Sequence, residues 1–151
     1  MKAQRTSPGT PPPSGIDHVA IAVRDLDAAT RFFRDILGLV HEGTEDVPSE
    51  GVRTAFLRAG GAAGGTRIEL VSPLAGGEGP VARFLEKRGE GIHHIALRVD
   101  RIEERMEALA KAGIRLVSAG PRRGAEGAKI AFLHPSTCRG VLVELKEPAA
   151  D

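Results

Sequence analysis

Two histidines and two glutamates carry the clearest chemistry in this sequence. His18 lies in Gly15-Ile16-Asp17-His18-Val19-Ala20-Ile21-Ala22-Val23, and His94 in Gly91-Ile92-His93-His94-Ile95-Ala96-Leu97-Arg98-Val99; each is the third residue after a glycine. Glu69 and Glu144 are single acids inside apolar runs, Arg67–Val71 and Val141–Leu145. Glu69 follows His18 by 51 residues (18 to 69), and Glu144 follows His94 by 50 (94 to 144). Alone, each residue would be ordinary: a strand histidine is more often structural than ligating, and a strand-end glutamate is usually solvated. Together, at matching phases of a repeated unit, they form the donor set of a divalent metal such as Zn, Co, Ni, Mn or Fe, with positions left for water or substrate. Two carboxylates also balance a dication, whereas two unpaired buried carboxylates would be costly.

The elements that must position these side chains repeat. Ile16 to Val23 alternates as a strand, with Val19, Ile21 and Val23 on one face and Ile16, His18, Ala20 and Ala22 on the other. Asp25 caps a helix with Leu26, Ala29, Phe32, Phe33, Ile36 and Leu37 on its buried stripe, ended by Gly38. Strands follow at 39–47, 52–58 and 66–72, separated by the turn Pro48–Gly51 and a Gly/Ala loop over 59–65. The second unit opens with a strand from Gly91 to Val99. Asp100 and Glu103 form a capping-box-like start to a helix striped by Ile102, Met106, Leu109 and Ala110 and ended by Gly113. Strands are expected near 115–118, 128–133 and 140–146, with a Gly/Arg loop at 120–127. From cap to terminating glycine is 13 positions in both units (25 to 38, 100 to 113).

The reading is therefore an α+β fold of two tandem βαβββ modules, 15–72 and 91–147, joined by a connector 73–90 with a short helix around Val81–Lys87. They make one domain, 15–148, after a Pro-rich tail, 1–14, expected to be disordered. In strand alternation Glu69 lies opposite Ile68 and Leu70, and Glu144 opposite Val143 and Leu145. All four polar residues then share the face that the two module helices leave uncovered, and a curved sheet would gather them in one cavity.

Composition narrows the function. The net charge of +1 gives no field for nucleic acid or an anionic membrane, and five Phe with no Trp or Tyr offer little stacking surface. No apolar run approaches a membrane span and no apolar signal core opens the chain, so a soluble cytoplasmic protein is expected. Cys138, the sole cysteine, excludes an internal disulfide and suits a reducing compartment.

The segments "IDHVAIAV", "VPSEGVRTAFL", "IELVSPL", "FLEKRGEGIHHIALRVD" and "KIAFLHPSTCRGVLVEL" resemble the vicinal oxygen chelate (glyoxalase/dioxygenase-like) superfamily from about Ile16 to Glu147. "GEGIHHIA" and "FLHP…GVLVEL" favour its methylmalonyl-CoA epimerase branch. The resemblance implies a homodimer and a metal, cobalt first, held by His18, Glu69, His94 and Glu144. It also implies interconversion of (R)- and (S)-methylmalonyl-CoA by removal and return of the α-proton. Some relatives of that branch carry Gln at position 69 and a Glu base at position 54. Here the acid is Glu69, and Thr54 has only a hydroxyl. The expected proton-transfer groups are therefore Glu144 and, as one candidate beside a water, Glu69. The branch often has Lys where this chain has Ser136. The rivals are a glyoxalase I-type lactoylglutathione lyase, disfavoured by "FLHPSTCRG", a non-heme iron oxygenase, and a non-enzymatic binding protein of the same fold.

Thr54, Arg122, Arg123 and Lys129 are the candidate substrate contacts, the three basic residues for the phosphates of an acyl-CoA. His93 is expected on the face opposite His94, packed or hydrogen-bonded. His134 is placed at the cavity mouth or in a structural turn, His41 at an exposed strand end, and Glu50 facing solvent.

Overall fold

In a computed structural model that describes residues 11–60 and 65–150, the chain forms a single eight-stranded mixed sheet curled into a half-barrel. The strands are β1 (Gly15–Ala22), β2 (Val40–Val47), β3 (Val52–Arg58), β4 (Arg67–Pro73), β5 (Gly91–Arg98), β6 (Arg122–Arg123), β7 (Lys129–Leu133) and β8 (Val143–Glu147). The helices are α1 (Leu26–Arg31), α2 (Pro80–Arg88) and α3 (Ile102–Lys111). The sheet order β2-β3-β4-β1-β5-β8-β7-β6 is two copies of one arrangement meeting at β1 and β5. β1 pairs in parallel with β4, β5 in parallel with β8, and β1 with β5 antiparallel.

The pairing shows the duplication at residue level. Across the central strands His18 pairs with Ala96 and Ala20 with His94. Glu69 is flanked by Ala20 and Phe56, and Glu144 by Ala96 and Phe132. Ala20 and Ala96 are fully buried, and their small side chains leave room for an imidazole beside each.

Alternation then sorts the core. Ile21, Val23, Ala55, Leu57, Ile68 and Leu70 pack under α1 and the turn that follows it, through Leu26, Ala29 and Phe33. Leu97, Val99, Ala131, Leu133, Val143 and Leu145 pack under α3, through Ile102, Met106 and Leu109. The cavity face is not left bare. Val81 and Leu85 of α2 cover Ala22, Val47, Val52 and Val71, so the connector helix roofs part of that face.

Several local expectations change. The helix after Asp25, whose carboxylate accepts from Ala28 N as expected, is α-helical only to Arg31. Phe32–Ile36 is a widened π turn, with Leu37 N bonded to Phe32 O. The widening rotates Phe32, Ile36 and Leu37 away from the sheet, and they are exposed rather than buried. Gly38, at φ +78°, still ends the turn. In the second module the helix does not start with an Asp100 box. Arg101 takes the cap position at φ 48°, the Glu147 carboxylate accepts from Ile102 N, and Glu103 pairs with Lys129. The strand expected at 115–118 is reduced to a bridge between Leu116 and Leu133. The short β6 lies instead in the expected loop, because Gly120 and Pro121 interrupt the run. The last strand begins at Val143, three residues late.

Of the tail, residues 1–10 lie outside the described residues. Pro11–Ser14 lie in no helix or strand, but they do not run free: the Pro11 carbonyl accepts from Arg105, and Ser14 N donates to Arg98 O. Among the described residues no helix is long and apolar enough to cross a membrane.

Candidate metal centre

The half-barrel closes around a cavity of about 790 Å³ whose lining includes Thr54, Glu69, His94 and Glu144. β1 and β5 supply the two imidazoles from adjacent antiparallel strands, and their Nε2 atoms stand 3.3 Å apart. Their neighbours β4 and β8 supply the carboxylates. Glu69 Oε2 lies 3.3 Å from His18 Nε2, and Glu144 Oε2 lies 3.0 Å from His18 Nε2 and 3.5 Å from His94 Nε2. All four side chains are buried. His18, His94 and Glu144 bring one donor atom each within 4.8 Å of the others, and Glu69 joins from the His18 side.

Electrostatics and hydrogen bonding both mark this as a place for a cation. Burial alone would lower the His18 imidazolium, but Glu69, the Asp17 bond and Glu144 outweigh it and raise the group to about 9. Burial pushes Glu69 above the ordinary carboxylate range against the attraction of His18 and His94. Burial acts the same way on Glu144, but two imidazoles beside it outweigh the effect and hold it low. Glu144 Oε2 is buried and, despite these close contacts, has no aligned hydrogen bond. In the metal-free protein the protonated His18 ring, 3.0 Å away, is the cation that meets this buried oxygen, and a divalent ion would take that place. His18, His94 and Glu144 therefore fit a divalent metal, with the Glu69 carboxylate beside His18.

Each imidazole sits edge-on to a phenylalanine, His18 to Phe56 and His94 to Phe132. Behind His18 runs a buried ionic network that alternation of the strands did not bring out. Asp17 accepts from His18 Nδ1 at 2.7 Å, from Lys146 Nζ at 3.1 Å, and from Arg67 and Arg98. Glu126 reaches in to the same Arg67 and Lys146, which with burial opposing keep its carboxyl at about 2. A register shift in β1 between Ile16 and His18 turns both Asp17 and His18 inward, against simple alternation. One signal was present in the sequence: Lys146 shares the strand parity of Glu144.

The other candidates fall in different places. Thr54 lines the cavity, and its buried hydroxyl has no partner among the described residues. Arg122 lines it too but is paired with Glu50, which faces the cavity rather than solvent. Arg123 is exposed and its carbonyl accepts from Ser49. Lys129 is tied to Glu103 and is not part of the lining. His134 lines the cavity and also serves its turn, accepting from Ser136 N. His41 is bonded to Thr44 in the outermost strand.

A family model described as the Glyoxalase/Bleomycin resistance protein/Dioxygenase superfamily matches residues 17–132. The chain is 42% identical to an ethylmalonyl-CoA/methylmalonyl-CoA epimerase of Cereibacter sphaeroides, over 87% of this chain and 96% of that protein. A crystal structure of methylmalonyl-CoA epimerase from Mycobacterium tuberculosis superposes with a TM-score of 0.85 at 40% identity, covering 91% of this chain and 90% of that one. A methylmalonyl-CoA epimerase in complex with methylmalonyl-CoA and NH4+ gives the same TM-score at 37% identity, covering 92% of this chain and 97% of the other. With modules, sheet order and cavity already in place, these likenesses show that the chain belongs to the glyoxalase/bleomycin resistance protein/dioxygenase superfamily, in its methylmalonyl-CoA epimerase branch.

Proposed function

We propose that the protein is a metal-dependent epimerase that interconverts (R)- and (S)-methylmalonyl-CoA. The observation that carries this reading is the placement of the two glutamates. Glu69 on β4 and Glu144 on β8 flank the central strands, so their carboxylates approach the histidine pair from opposite sides. That arrangement serves inversion at one carbon: Glu144, through the oxygen it does not give to the metal, exchanges the α-proton on one face, and Glu69 or a water does so on the other.

A divalent ion held by His18, Glu69, His94 and Glu144, with Co2+ our first candidate, would supply positive charge to the substrate oxygens as the proton leaves. Thr54 is too weak an acid to ionise here, so its hydroxyl orients a substrate oxygen by hydrogen bonding. Val47, Val52, Val71 and Val81 line the cavity beside it and keep water from the carbanion.

The anionic tail of the thioester has a different exit from the one Arg123 and Lys129 would give. A second groove of about 460 Å³ shares Pro80, Arg83, His93, His94, Pro135 and Leu142 with the cavity and runs along α2. It is lined by Arg83, Lys87 and Arg88, none of which has an acidic partner among the described residues, and by Ile92 and Val141. Cations along an apolar groove suit the pantetheine arm of a CoA thioester, which ends in phosphates. Incubation of the metal-loaded protein with one epimer of methylmalonyl-CoA should give both. A static epimer, together with turnover of a glutathione hemithioacetal, would move the assignment to a lyase.

A further inference from the structure

The residue one place ahead of each imidazole does the same job in both modules, with different chemistry. Asp17 precedes His18 and meets its Nδ1 at 2.7 Å through Oδ2. His93 precedes His94 and meets its Nδ1 at 2.8 Å through its own Nδ1. In each case the inner nitrogen, Nε2, is left facing the other ring and the carboxylates.

We propose that Asp17 and His93 are positioning residues that keep the proton of each imidazole on Nδ1, and that they do so unequally, making His18 the fixed ligand and His94 the exchangeable one. The proposal rests on the metal-site reading above.

The inequality follows from what each partner can do. A carboxylate only accepts, so His18 Nδ1 must donate to it, and the Nε2 lone pair is committed to the centre. Asp17 is itself clamped: Lys146 and Arg67 donate to Oδ2 at 3.1 Å each, and Arg98 donates to Oδ1 at 3.0 Å. With Asp17 buried between three cations, the bond to His18 is charge-assisted and about twice as strong as a neutral one. His93 has no such constraint. Its Nδ1 accepts in one tautomer and donates in the other, so it permits the productive form of His94 without enforcing it. Beyond His94 itself, its ring meets Phe84 edge-to-face at 5.0 Å between centroids, and it borders the cavity and the α2 groove.

The test is Co2+ binding to the full-length protein, read by titration calorimetry and the visible spectrum rather than by turnover. Removing a carboxylate that supports a ligating histidine weakens metal binding roughly 10–100-fold, and Asp17→Asn should fall in that range. His93→Asn keeps an acceptor and should change affinity only a few-fold. Glu126→Gln loosens the same ionic network without touching His18, so it should lower thermal stability and leave Co2+ affinity as in the wild type. If Asp17→Asn binds Co2+ as the wild type does, or if Glu126→Gln weakens binding as much, Asp17 acts through stability alone and the proposal is overturned. Should Asp17→Asn fail to fold, 15N histidine spectra of the Zn2+-loaded wild type decide. His18 and His94 should both carry the proton on Nδ1, and that of His18 should exchange more slowly with solvent. A protonated His18 Nε2, or faster exchange at His18, overturns the proposal. No Co2+ binding by the wild-type protein would instead remove the metal site beneath it.

Discussion

His18 and His94 face each other from neighbouring antiparallel strands, Nε2 to Nε2 at 3.3 Å, each beside an alanine of the other strand. Two ring nitrogens at that distance bond to each other only if one keeps its proton, and a cation between the rings and Glu144 removes that requirement. His94→Ala should therefore abolish stoichiometric metal, measured by elemental analysis of the purified protein, while near-native circular dichroism is retained. Full metal content in this variant would break the ligand assignment.

Metal uptake should release protons. In the metal-free protein His18 is raised to about 9, so near pH 7.5 its Nε2 still carries a proton that ligation must displace. The sign is fixed: affinity tightens as pH rises, by about tenfold per unit for each proton displaced, and the His18 contribution ends above about 9. Calorimetry in buffers of different ionisation enthalpy reads the proton count directly, and a count of zero at pH 7.5 would contradict it.

The α2 groove makes a separate prediction. Lys87→Ala with Arg88→Ala should raise KM for methylmalonyl-CoA roughly tenfold with little change in kcat, because these two line the groove and not the cavity, and the tail is remote from the reacting carbon. The penalty should shrink as salt is added. Lys129→Ala, whose ammonium is occupied by Glu103, should leave KM unchanged.

Lys146→Met breaks a buried contact to Asp17 at 3.1 Å and one to Glu126 at 2.9 Å. Loss of one partner from a buried ion pair destabilises by on the order of 3 kcal/mol, read by urea unfolding of the metal-free protein. A change below about 1 kcal/mol would show that Arg67 and Arg98 suffice to hold Asp17.

The duplication was legible because it rests on period-two alternation and on capping and terminating residues, Asp25, Gly38 and Gly113, that act locally. The same alternation placed Glu69 and Glu144 with the histidines, since the strands carrying them are regular. Asp17 escaped because the irregular pairing at Ile16–His18 breaks the alternation, and no local pattern announces it. Arg67 and Lys146 meet Asp17 through contacts 50 and 129 residues apart, and Glu126 joins through those two cations. The π turn at Phe32–Ile36 was equally hidden, because its sequence spacing is that of an ordinary helix. Arg122 and Lys129 looked free in sequence because their partners, Glu50 and Glu103, are distant in the chain.

The most direct test of the central claim is proton exchange at the substrate α-carbon. In D2O, the metal-loaded protein should wash deuterium into C2 of methylmalonyl-CoA as the epimers equilibrate, followed by proton NMR or mass spectrometry, and the metal-free protein and His94→Ala should not. Epimers that remain unlabelled and unequilibrated with metal bound would contradict the account.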